Sequence, residues 1–441
     1  MPLLKKLFWL YFLLLIFEGA LRKWVLTQYS APLLLVRDPV GLLIIWEAFR
    51  THKWPRQWSA VVGILAAGII ALCFIQLVAG DNPWYVALYG LRSYLLPFPV
   101  AFIMGENLDR EDLRKFGLCT LWLLIPLTAL EVAQYYAPAT SILNAGASLG
   151  SAQLASAAGH VRASATFSYV TGPACYLPLA AAFIFYGLVN AKFANRWLLW
   201  AASCALVMAI PVTGSRAIVF ELAAIVACVG VAALFGVSQF VKSLQITMAL
   251  LLVSLLVSRL PVFSEATGTL LTRFSQASGS EGNAQQSLLL RLADPVVQTI
   301  ENSASENNWL GLGVGYGANA IARLLTGTQQ FLAGEGEFPR VIAEFGAPAG
   351  MAFMLFRWLL ELMIVAKALS RVREHEPLAW LLVPLTISTL AFGTLEQPTE
   401  QGFMVISVAL SFAALRIAHV PIESAPALNL RLRQARHNLR A

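Results

Sequence analysis

Apolar residues fall in long runs along this chain, and short clusters of charge, glycine and proline separate the runs. Most runs are roughly 17–22 residues long, which suits helices crossing about 30 Å of hydrocarbon. They lie near 4–25, 32–50, 59–79, 84–104, 117–136, 169–189, 197–213, 217–236, 244–262, 347–367, 378–394 and 402–418. Nothing alternates apolar and polar positions over the ~10 residues of a barrel strand. The pattern predicts an all-α polytopic membrane protein of twelve spans. The second is the weakest, because Arg37 and Asp38 interrupt it. Lys5-Lys6 and the run to Phe17 have the outline of a signal peptide, but no small-x-small cleavage site follows. The run continues into Glu18-Gly19-Ala20-Leu21-Arg22-Lys23-Trp24, so an uncleaved first helix is expected.

Composition narrows the class. Of 441 residues 58% are apolar and 12% charged, about half the usual ~25% charge. That excludes a soluble enzyme, a disordered chain and a secreted disulfide scaffold. The five cysteines all sit inside apolar runs with no CxxC pair, and read as small packing residues. The net charge of +7 matters through its distribution. With a cytoplasmic N-terminus, the inside segments hold Lys5, Lys6, Arg50, Lys53, Arg56, Arg110, Arg114, Lys115, Lys192, Arg196, Lys242, Lys367, Arg371 and Arg373. The short outer loops at 80–83 and 393–401 hold no Lys or Arg. This positive-inside pattern, with an even number of spans, places both termini in the cytoplasm.

Four regions follow: 1–262 with spans one to nine, 263–346 as a large outer loop, 347–418 with the last three spans, and a basic tail at 419–441. A smaller outer segment, 137–168, is rich in Ala, Ser and Gly. Ordered loops as long as 263–346 are often functional. This one has helix-like pieces at Leu288–Glu301 and Ala318–Phe331, and a run Gly311-Leu-Gly313-Val-Gly315-Tyr316-Gly317. The run misses the GxGxxG spacing, since Ala318 stands where the third glycine would fall, and no predicted strand precedes it. A tight turn folding the loop back on the membrane is the better reading. The tail reads as a topology anchor near anionic lipid head groups.

Arginine on the outer side is the informative anomaly. Arg162, Arg216, Arg273, Arg291, Arg323 and Arg340 all fall there. Arg273 and Arg323 read as solvated surface. Arg216 lies in the very short link Thr213-Gly214-Ser215-Arg216, and Arg162 just before Ala163-Ser164-Ala165-Thr166-Phe167. Arginine's forked donors suit phosphate and pyrophosphate oxygens. Within the spans, Arg92 has no local partner and is a candidate site residue. Arg37 is expected to pair with Asp38 or to snorkel, and Glu18 with Arg22 at i,i+4. Glu335 and Glu337, flanked by glycines before a membrane helix, offer a general base. Of five histidines only His160 falls outside. Metal-ligand spacings and a GxSxG motif are absent, which argues against a metal site or a Ser-His-Asp hydrolase.

Over roughly 160–360 these features resemble the O-antigen ligase and O-antigen polymerase superfamily of bacterial membrane glycosyltransferases. Arg162-Ala-Ser-Ala165-Thr166-Phe167 is similar to the family's Arg-x-x-Gly-Thr-Phe, with Ala165 where Gly is usual. Thr213-Gly214-Ser215-Arg216 is similar to its Ser-Arg pair opening a membrane helix. Arg291 ahead of Gly311-Leu-Gly313 fits its loop arginine and Gly-x-Gly turn. The family's His-Asn, nine residues, Gly-x-x-Gly motif aligns Glu335 with the His and Gly336 with the Asn, and Ala349 with the final Gly. The N-terminal stretch through Arg37-Asp38-Pro39 lies outside the resemblance.

The resemblance implies polymerisation or ligation of glycans from a polyprenyl-pyrophosphate donor onto a glycan acceptor, at the outer face of the bacterial cytoplasmic membrane. The product would be exopolysaccharide, capsule or O-antigen. Arg216 and Arg291, helped by Arg162 and Arg340, would hold the pyrophosphate. Glu335 or Glu337 would deprotonate the acceptor, with inversion and without metal or cofactor. Membrane lipid and other polysaccharide assembly proteins are the further partners; nucleic acid is not. Two alternatives stay open: a transporter or flippase of lipid-linked glycan, for which Arg37, Asp38 and Arg92 are the best evidence, and a catalytically silent subunit of an assembly complex.

Overall fold

The computed structural model of the chain describes residues 2–79, 82–147, 153, 160–190, 192–235, 261–281, 309–326, 336–374 and 376–417. The predicted ninth span (but for its last two residues), Arg291, Glu335, the helix-like piece at 288–301 and the tail 419–441 lie outside these residues. Among the described residues regular structure is helical, with no strand. Among the described residues eight helices are long and apolar enough to cross a membrane: Arg56–Ala79, Trp84–Asn107, Arg110–Tyr136, Thr171–Val189, Arg196–Thr213, Arg216–Leu234, Ala347–Val372 and Pro398–Ile417.

In chain order the helices are α1 (Leu3–Ala20), α2 (Arg37–Arg50), α3 (Ser59–Ala79), α4 (Trp84–Leu95), α5 (Pro97–Asn107), α6 (Arg110–Tyr136), α7 (Thr171–Val189) and α8 (Arg196–Thr213). Then come α9 (Arg216–Leu234), α10 (Pro261–Glu281), α11 (Asn319–Thr326), α12 (Glu337–Phe345), α13 (Ala347–Val372), α14 (Leu378–Thr386) and α15 (Pro398–Ile417). Three predicted spans take other forms. α1 is 18 residues long but carries Lys5, Lys6 and Glu18, and ends in a π turn, Leu21–Val25. The second span shortens to the 14 residues of α2, which begins at Arg37 with Pro39 in its first turn, where a missing N–H costs nothing. The eleventh becomes α14, with Pro384 near its end, followed by a π turn, Ile387–Ala391; proline's lost hydrogen bond favours such a departure.

α7 and α15 are central, each with 78% of its apolar window buried, whereas α3 and α9 bury 22% and lie at the periphery. α15 packs on α5, α7 and α14, α6 on α8, and α1 on α2. Loops predicted to share a side gather at one end. At the first end Lys5 pairs with Asp112 at 2.5 Å, Arg110 with Glu376 at 2.5 Å, and Asn107 donates to the Lys53 carbonyl at 3.1 Å. At the other end the indole of Trp24 donates to the Ile142 carbonyl at 2.8 Å, and Gln76 to the Glu344 carbonyl at 2.8 Å.

Candidate functional site

The second end holds the sequence-predicted site residues that the described part contains. Its first component is the segment 160–168, clamped by the end of α1. Gln134 Oε1 accepts the amides of Ser164 and Ala165 at 3.1 and 2.8 Å. Lys23 Nζ donates to Ser164 Oγ at 2.6 Å and to the Ala165 carbonyl at 3.1 Å. Arg22 reaches Ser168 Oγ at 2.9 Å, and Thr166 Oγ1 donates to the Ile16 carbonyl at 2.6 Å. Ala165 adopts φ +47°, the left-handed region that favours glycine.

α8 closes on Gly214 at φ +58°, and α9 opens at once with Ser215 and Arg216. Left-handed glycine lets the chain reverse here without extra residues. Ala163 packs with Val212, Tyr135 and Ala266, so the 162–168 segment lies beside this link. Arg162 and Arg216 come within electrostatic reach of each other. Burial holds Arg162 below its ordinary value, the Tyr169 phenol opposes this, and the Arg216 charge adds to it. Arg162 Nε is buried without a hydrogen-bond partner among the described residues. His160 stacks on Tyr135 with ring centroids 4.3 Å apart. Its Nδ1 faces the Tyr135 carbonyl and its Nε2 Glu265 Oε1, each at 3.0 Å. Two acceptors are satisfied together only by the doubly protonated ring. Burial is the largest single influence and lowers the imidazole pKa, but the Glu265 bond, the Tyr135 carbonyl and the Glu265 charge together outweigh it, and the pKa stands above its ordinary value.

The second component is a buried ionic network. Two pairings differ from expectation. Arg92, for which the sequence shows no local partner, donates to Asp38 at 2.5 Å. Arg37 does not pair with its neighbour Asp38; its Nε donates to Glu18 at 3.0 Å. The i,i+4 pair of Glu18 and Arg22 forms at 3.5 Å. Segments distant in sequence meet here, and sequence spacing carries no sign of it.

Glu337 and Arg340, one helical turn apart on α12, pair with each other. Glu337 also takes Arg357 of α13, and Arg340 reaches Glu396 at 3.2 Å. Arg357 is fully buried and donates to the Leu390 and Gly393 carbonyls at 2.7 and 2.6 Å. Both Glu337 oxygens therefore face arginine, and both terminal nitrogens of Arg340 face carboxylates. Arg357 and Glu396 were missed in the sequence; a lone arginine inside the tenth predicted span is the signal that would have found Arg357.

The glycine run forms a third component. Gly311, Gly313 and Gly315 all have positive φ, and Gly315 seats against Gly90 of α4. Its amides do cradle an anion, as such turns can, but the anion is the chain's own Glu344. Oε2 accepts from Gly315 N and the Tyr94 hydroxyl at 2.8 Å each, and Oε1 from Gly317 N at 2.9 Å. Burial pushes the Glu344 carboxyl up, and Arg340 and these donors oppose it. Glu396 is pushed up by burial in the same way, opposed by Arg340 and by the Asn319 amide.

This end of the bundle thus sets Arg162, with its unpartnered Nε, beside the Arg216 link, next to a network in which Arg37, Arg92, Arg340 and Arg357 are each paired with a carboxylate. In comparisons with protein-family models and with curated proteins, the chain matches none.

Proposed function

We propose that the chain is a metal-independent, inverting membrane glycosyltransferase. It would polymerise or ligate glycans from a polyprenyl-pyrophosphate donor at the outer face of the bacterial cytoplasmic membrane, with both termini in the cytoplasm. One observation carries this reading: Arg162, beside the link that carries Arg216, keeps a buried guanidinium nitrogen without a hydrogen-bond partner among the described residues. A buried, unsatisfied guanidinium donor suits a phosphate-type anion as its acceptor. A pyrophosphate leaving group provides one whose charge grows as the glycosidic bond breaks. Ala165 lends support, because its left-handed backbone falls where the resembled motif has glycine.

In this mechanism the acceptor hydroxyl attacks the anomeric carbon and its proton passes to a carboxylate. The C–O bond to pyrophosphate breaks, and the leaving group departs held by Arg162 and Arg216, with Arg291 as a third candidate. Glu335 is the candidate base. Glu337, committed to two arginines, fits a positioning role, as does Arg340.

The transporter alternative drew on Arg37, Asp38 and Arg92. Each has an ion-pair partner within the chain, which weighs toward a structural use of those charges. The test is reconstitution in lipid with lipid-linked oligosaccharide, reading glycan transfer and released polyprenyl pyrophosphate. Wild type should give both products, and Arg162→Gln and Glu335→Gln little of either. Absence of product from several suitable donors, with donor binding that still needs Arg216, would overturn the transferase in favour of transport or a silent subunit.

A further inference from the structure

At the opposite end of the bundle, where Lys5, Arg110 and Arg416 gather, a cavity of about 640 Å³ opens among the ends of α5, α13 and α15 and the start of α3. That size falls within the range of small-molecule sites. α13 supplies Lys367 and Arg371, and Glu374 follows just past its end; α5 supplies Glu106 and α15 Arg416. The floor is aromatic: Trp58 stacks on Phe102 at 4.4 Å and leans on Phe412 at 5.1 Å.

The charges do not cancel locally. Arg371 pairs with Glu374, and Arg416 donates to the Leu108 carbonyl with its Nε 4.0 Å from Glu106. Lys367 is exposed and has no ion-pair partner among the described residues. A simple anion entering this space would meet Glu106 and Glu374, and a simple amine would meet three cations. A ligand carrying both signs on an apolar tail satisfies every wall. The geometry points to a binding site for the phosphoethanolamine group of a zwitterionic phospholipid. Its phosphate lies toward Lys367, Arg371 and Arg416, its ammonium toward Glu374 and Glu106, and its acyl chains run along Trp58 and Phe412. A primary ammonium donates hydrogen bonds to carboxylates, and a quaternary choline cannot. The site is separate from the proposed transferase centre and does not depend on it.

The test is native mass spectrometry of the full chain, stripped of lipid and offered equal amounts of phosphatidylethanolamine, phosphatidylcholine and phosphatidylglycerol with matched acyl chains. Wild type should retain the ethanolamine lipid at least about five-fold over the other two, and Lys367→Gln should lose that retention by a similar factor. Glu374→Gln should lower the ethanolamine-to-glycerol lipid ratio toward one, because the ammonium loses one of its two carboxylates while the phosphate keeps its cations. Lys367 and Glu374 are exposed, and unchanged melting of both variants checks the fold. Soluble phosphoethanolamine competes in a parallel arm: full displacement of lipid assigns the site to a soluble ligand of that class, and persistence of lipid assigns it to the membrane. Equal retention of ethanolamine and glycerol lipids by wild type, or a ratio unmoved by Glu374→Gln, overturns the proposal.

Discussion

Gly19 of α1 lies directly against the backbone of Ser168: a methyl group added at Gly19 would come within 2.2 Å of the Ser168 amide nitrogen. The first helix and the segment carrying Arg162 therefore meet backbone to backbone. Gly19→Ala must push them apart. Overpacking of this kind costs roughly 1–3 kcal/mol. We expect a lower melting temperature in detergent and a larger loss of glycan transfer than of stability, because the Arg162 segment moves with it. A variant that melts and turns over like wild type would show that the contact is not tight.

Ala165→Gly should act in the opposite sense. Relieving a left-handed alanine is worth about 1–2 kcal/mol, and the extra freedom of unfolded glycine offsets roughly 0.5–1 kcal/mol of it. A net gain of about 0.5–1 kcal/mol, read as a raised unfolding midpoint, is expected with activity retained. A destabilised variant would contradict the backbone geometry at φ +47°.

Glu337→Gln should be a folding defect before it is a catalytic one. It leaves Arg340 and Arg357 short of a shared buried partner, and breaking a buried pair costs about 3–5 kcal/mol. Arg162→Gln should instead keep the melting point and lose transfer. If Glu337→Gln melts normally and only turnover falls, Glu337 belongs to the chemistry.

Arg92 and Asp38 should be energetically coupled although 54 positions separate them. A double-mutant cycle with Arg92→Met and Asp38→Asn should give an interaction energy of about 0.5–3 kcal/mol. Additive single losses would mean that the pair contributes nothing.

The bond between His160 and Glu265 gives a pH dependence of known sign. The His160 pKa is raised from 6.5, so its stabilisation is complete below about that pH and fades as pH rises through the folded value. Glu265 is exposed, so the effect is at most about 1 kcal/mol. The melting difference between wild type and His160→Gln should shrink from mildly acid to mildly alkaline pH. A constant difference would dismiss the imidazolium.

Hydropathy located most membrane helices closely because burial in hydrocarbon is a property of composition. The run at 59–79 is α3 residue for residue, and the run at 197–213 is α8 less one position. It missed the first turns of α6, which starts at Arg110 behind a capping box of Asp109 and Asp112; those polar residues add helix without adding apolar length. Arg162 and Arg216 were legible as anomalies of charge placement, and the fold puts them within electrostatic reach of each other. Their neighbours were not, because ion pairs such as Arg92 with Asp38 or Arg340 with Glu396 are set by packing of segments distant in sequence. The glycine run was legible as a turn, but not its occupant, since nothing local ties Glu344 to Gly315.

The clamp between α1 and the 162–168 segment imposes an order on biogenesis. Glu18 can find Arg37 as soon as the first hairpin is inserted, because α2 follows at once. Lys23 cannot, since Ser164 and the Ala165 carbonyl are synthesised some 141 positions later. Through insertion of the intervening spans, this ammonium must stay at the water interface, and it withdraws only when the sixth predicted span arrives. Nascent chains truncated before residue 160 should therefore leave Lys23 open to amine-reactive labelling, and chains extended past α7 should protect it. Equal labelling at both lengths would show that the first helix is anchored by something else.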